Sequence, residues 1–126
     1  MRLLRCERGV AAVEFAIVSV VLMMLIIGGI DMGRTFYVKN QLSFLADQAA
    51  RQMLMDPDVT DATLQADLAA QFSAGDTSLL SVAVTAQTVS GIDFRVIQID
   101  YPMALFVPFL SFSTLALNVD RRVPVG

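Results

Sequence analysis

The chain has 126 residues, room for one domain and less once a membrane segment is set aside. Its apolar fraction of 56% and mean hydropathy of +0.64 are high for a soluble domain, and a net charge of -3 without a basic patch or interleaved aromatics offers nothing to nucleic acid. With no histidine and a single cysteine, Cys6, it lacks the usual metal-ligand spacings and any histidine base for a serine nucleophile. Neither an enzyme, nor a metal site, nor a cofactor is expected.

Residues 1–9, MRLLRCERG, are too short to fold and set Arg2, Arg5 and Arg8 against Glu7. They read as a leader, and its removal would leave a mature chain with no thiol. Residues 10–30 read as a transmembrane helix. Phe15 to Ile30 (FAIVSVVLMMLIIGGI) carries no charge, and Val10 to Glu14 adds one carboxylate. About 20 apolar residues suffice to cross roughly 30 Å of hydrocarbon. Beyond Asn40 every acid is an aspartate, and together they outnumber Arg51, Arg95, Arg121 and Arg122. A basic stub before the span and an acidic region after it favour an N-in, C-out orientation. Close to the span the bias is modest, because Arg34 and Lys39 follow it.

Residues 31–56 continue as an amphipathic helix. Val38, Leu42, Leu45, Ala49 and Met53 share one face. Asp47 and Arg51 form a supportive pair one turn apart. Asp56-Pro57 ends the run, because the residue before proline is pushed out of the helical region. One helix from residue 12 to residue 55 would be roughly 65 Å long, with Gly28, Gly29 and Gly33 as places to bend. Ala46, Ala49 and Ala50 form a small-residue stripe. It suits either a close subunit contact or a sheet packed on the same helix.

Residues 57–126 read as a small exported α+β domain. A short helix is predicted over Asp61–Phe72, capped by Thr60 or Asp61. Strands are predicted over Leu80–Val89, Ile92–Tyr101 and Thr114–Val123, with Ser90-Gly91 as a tight turn. The predicted fold is α+β: a long N-terminal helix, transmembrane in its first half, packed on a three-stranded antiparallel sheet with a short second helix. The link Pro102–Ser113 (PMALFVPFLSFS) is uncharged and is interrupted by Pro108. It either covers the core or presents Phe106 and Phe109 to the bilayer or a neighbouring subunit; it is too short to span. Asp56, Asp58 and Asp61 form an acidic turn that lacks the glycine and terminal glutamate of a calcium loop.

The informative constellation is Arg8-Gly9-Val10-Ala11-Ala12-Val13-Glu14-Phe15 at the head of the apolar helix. A secretory signal peptide would be cut after its apolar run behind an A-x-A-like site, but that end reads IIGGIDMG. A plain anchor leaves Glu14 unexplained, since a carboxylate near the end of a span costs on the order of 1–3 kcal/mol and tends to have a partner. A prepilin accounts for both features. A peptidase of the inner membrane cuts behind such a glycine, Val10 becomes the new terminus, and Glu14 can pair with the Val10 ammonium of a neighbour.

The same residues resemble a family. RGVAAVEFAIV at Arg8–Val18, the G-x-x-D-x-G-R pattern within Gly28–Arg34, and the alanine-rich stretch ending at Arg51 look like the TadE-like pseudopilins of tight-adherence (Flp-type) pili. The closing VIQIDYPMALFVPFLSFSTLALNVDRRVP is similar to that family's last strands. The resemblance implies cleavage between Gly9 and Val10, with Glu14 and Phe15 setting subunit register and assembly. It implies a minor pilin that builds or primes the pilus, with a prepilin peptidase, the major Flp-type pilin, sister pseudopilins and the inner-membrane assembly platform as partners. Both TadE and its sister TadF carry such heads. The chain would sit in the inner membrane as a single-pass protein before entering an extracellular pilus. Two alternatives stay open: an uncleaved, membrane-anchored periplasmic adaptor, and a pilus-tip adhesin.

Overall fold

The structure is a computed structural model that describes residues 7–106 and 114–125. One helix, α1 (Glu7–Met55), dominates it and runs unbroken through Gly28, Gly29 and Gly33. It begins earlier than residue 12, because nothing between Glu7 and Ala12 opposes a helix. It stops where predicted. The Asp56 amide still donates to the Gln52 carbonyl (2.9 Å), and Pro57 can add no further donor. Asp58 donates its amide to the Asp56 carboxylate, which closes the acidic turn.

Helix α2 (Asp61–Gln71) starts at Thr60, whose hydroxyl accepts from the Thr63 amide. A single turn of 3₁₀ helix over Thr77–Leu79 leads into strand β1 (Ser81–Val89). Ser90 and Gly91 both take positive φ (54° and 80°), the two-residue turn whose twist suits a hairpin. Strand β2 (Ile92–Ala104) runs back, and β3 (Thr114–Val125) completes an antiparallel sheet in the order β1-β2-β3.

Two strands outrun their predicted ends, and both do so through a proline. Pro102 pairs with Ala116 beyond Asp100, the residue opposite the first residue of β1, so β2 has a neighbour on one side only there. Pro124 lies in β3, an edge strand. A missing N–H is tolerated at both places because no second ladder needs it.

The core lies between the sheet and the second half of α1. Val38, Leu42, Leu45, Ala46, Ala49 and Met53 meet Ile97, Ile99, Tyr101 and Met103 of β2 and Leu117, Val119 and Val123 of β3. Leu64 and Leu68 of α2, with Phe72 just after it, close one side. The folded unit therefore draws on α1 well before residue 57. Two arginines on the sheet's inner face tie its far end. Arg95 donates to the Pro57 and Val59 carbonyls and pairs with Asp61 at 2.8 Å. Arg121 donates through Nε to Asp47 at 2.6 Å, so Asp47 pairs across to the sheet and not with Arg51 on its own helix. Ala46 and Ala49 have no exposed surface, so the reading of them as subunit contacts is corrected: the sheet of the same chain occupies their face.

The direction of β2 matters for function. It runs antiparallel to the rise of α1, from Ile92 near the helix end to Ala104 near residue 31. The β2–β3 connection thus leaves the sheet at the end nearest the apolar stretch.

Candidate functional site on the long helix

Gly9 lies in the first turn of α1, where backbone N–H groups have no partner within the helix and fraying is cheap. Val10 and Glu14 are one turn apart and share a face with Gly9, Val13 and Ile17. Phe15 projects from the neighbouring face with 74% of its surface exposed. The only polar side chain in the following run, Ser19, returns its hydroxyl to the Ala16 carbonyl at 2.8 Å and so presents no donor to the surroundings. The most apolar stretch of α1 has none of its residues buried in the fold. Among the described residues, one helix is long and apolar enough to cross a membrane.

At the other end of that stretch stands a polar junction. Asp31 is only 4% exposed, and its carboxylate accepts the Phe106 backbone amide at 2.7 Å. Its own carbonyl accepts from the Thr35 hydroxyl at 2.7 Å. The Arg34 guanidinium lies 5.4 Å from the centroid of the Phe106 ring, a cation–π distance. The sequence reading missed this role of Asp31. The available signal was a charge set immediately after the apolar run, inside the pattern Gly28–Arg34.

The predicted site residues do not converge. Gly9, Val10, Glu14 and Phe15 lie at one end of the apolar helix and Phe106 at the other, with about 25 Å of helix between Glu14 and Asp31. Ala50 packs at the margin of the core. Phe109 and residues 107–113 lie outside the described residues, as does Cys6. Among the described residues no three acidic or cysteine side chains are grouped to hold a metal, and Asp61 of the acidic turn is taken by Arg95.

Residues 9–51 match the family model described as TadE-like protein. The TadE-like segment is α1 from Gly9 to Arg51, so the resemblance carried by the head of the helix, by Gly28–Arg34 and by the alanine-rich stretch holds. The sheet and α2 fall outside it. No curated protein and no solved structure matches the chain. The TadE-like segment thus carries the apolar stretch that is a candidate membrane span.

Proposed function

We propose that the chain is a minor pilin of a tight-adherence pilus, held in the cytoplasmic membrane by α1 and cut behind Gly9 before it joins the assembling fibre. One observation carries this reading. The TadE-like match begins at Gly9, on a helix whose apolar half has no cover within its own fold. Such a surface needs lipid before assembly and other helices after it. Gly28 and Gly29 fit the second state, because open space surrounds both within the chain and small residues let helices approach closely.

A prepilin peptidase at the cytoplasmic face frees the Val10 amine in this scheme. The Glu14 carboxylate of one subunit then pairs with the Val10 ammonium of the next. Each group relieves the other's desolvation in the low-dielectric bundle, and the pairing sets axial register. The basic leader stays inside, the sheet is exported, and the major Flp-type pilin, sister pseudopilins and the assembly platform are the partners. Gly9→Leu tests the cut. In cells with an active prepilin peptidase the variant should accumulate in membranes as a longer species than the wild type. Equal lengths would show that Gly9 does not direct cleavage.

A further inference from the structure

The exported sheet is tied to the helix at the depth where the apolar run ends. From Val10 to Ile30 the helix covers about 30 Å, the thickness of a hydrocarbon core. Asp31 follows at once, and its carboxylate holds the Phe106 amide at 2.7 Å. Phe106 is therefore fixed at the level of the outer hydrocarbon boundary, with 68% of its surface exposed. Ile30 and Met32, flanking the same carboxylate, are 64% and 61% exposed. Above them Arg34, Tyr37 and Lys39 are all exposed. Cations and tyrosine just outside an apolar run are the composition of a membrane interface, where amphipathic rings and long basic chains anchor at headgroup level.

We propose that Phe106, held on the helix by Asp31 and set against Arg34, seats the near end of the exported sheet in the outer leaflet of the bilayer. The occupant is lipid because this patch is continuous with the face of α1 that is itself in lipid. A single helix tether would leave the domain free to tilt. A second contact beside it holds the sheet upright against the membrane and limits the orientations in which it meets a partner. Arg34 supplies the polar half of the contact: its guanidinium lies over the Phe106 ring, and its planar fork of donors suits phosphate. Seating would last while the subunit resides in the membrane and end when the helix leaves it.

This inference rests on the membrane-spanning reading of α1, and the test separates the two. The chain has no tryptophan, so single replacements report on their own surroundings. L22W, F106W and M55W are each reconstituted as full-length protein into phosphatidylethanolamine–phosphatidylglycerol vesicles at high lipid-to-protein ratio. Part of the lipid is brominated either near the headgroup or near the chain end. L22W reads the span and is quenched by the deep bromine. M55W, 86% exposed in the native residue and far along the helix, is quenched by aqueous iodide. F106W should emit to the blue of M55W and be quenched several-fold more by shallow bromine than M55W is, with iodide reaching it poorly. The proposal is overturned if F106W behaves like M55W while L22W is quenched. It is equally overturned if the protection of F106W vanishes on diluting protein in lipid, which would assign the patch to a second copy. Loss of quenching at L22W would sink the span itself.

Discussion

The Tyr101 hydroxyl occupies the space that a β-carbon on Gly75 would need. It accepts the Asp76 amide at 3.2 Å, and its ring leans on Phe72 with centroids 5.1 Å apart. A methyl group at residue 75 would collide with the hydroxyl and approach the ring's ζ-carbon to 2.9 Å. The ring is buried, so it has little freedom to withdraw. Gly75→Ala should cost about 1–3 kcal/mol, as overpacking does. In a double-mutant cycle, Y101F should recover part of the loss by removing the colliding oxygen, measured from urea midpoints in detergent. Additive effects would contradict the shared space.

Asp31 makes a second test of packing. Asp31→Ala leaves the Phe106 amide without its acceptor and should lower stability by about 1–3 kcal/mol. Asp31→Asn keeps an acceptor oxygen and should lose less. Hydrogen exchange at the Phe106 amide should speed up in the order wild type, D31N, D31A. An unchanged rate in D31A would show that the carboxylate does not hold the strand end.

Much of the fold was legible from local pattern. The spacing of Val38, Leu42, Leu45, Ala49 and Met53 marked the buried face of α1, and Ser90-Gly91 marked the hairpin. The strand ends were not legible, because a proline is acceptable or not according to which neighbours the strand has. Pro102 reads as a stop until β1 is seen to begin only at Ser81, opposite Asp100. The partner of Asp47 was missed for a similar reason. Arg51 is near in sequence, whereas Arg121 arrives only through the sheet, 74 positions away. At the helix head, the features that single out Gly9 and Glu14, a glycine behind basic residues and a carboxylate beside an apolar run, are all local in the sequence. Asp31 was not, because its partner is a backbone amide that the topology delivers.

Asp76 supplies a pH prediction. Hydrogen bonds from the Ser78 hydroxyl (2.7 Å) and then the Ser78 amide (2.9 Å) hold its carboxyl below the usual value of 3.8. A depressed folded-state value means the contribution is present above the unfolded value and is lost as pH falls through the folded one. Ser78→Ala removes the larger cause and should move the Asp76 titration upward toward 3.8, followed by the carboxyl carbon shift in NMR. Because the group is exposed, its effect on overall stability should be small. A titration unmoved in S78A would contradict the assignment.

Glu14 separates processing from assembly. Glu14→Ala removes the carboxylate from an exposed face of α1 outside the core, so folding, insertion and cleavage should proceed as in the wild type. Incorporation into sheared pili should fall sharply, because the Val10 ammonium of the neighbour loses its partner in low dielectric. Wild-type incorporation of E14A would mean that register is set elsewhere.

The most direct test of the central claim is the mass of the amino-terminal peptide, measured on protein extracted from membranes and pili of cells with an active prepilin peptidase. The pilin account predicts a chain beginning at Val10. A chain that retains residues upstream of Gly9 in both fractions would contradict it and leave α1 as a permanent anchor.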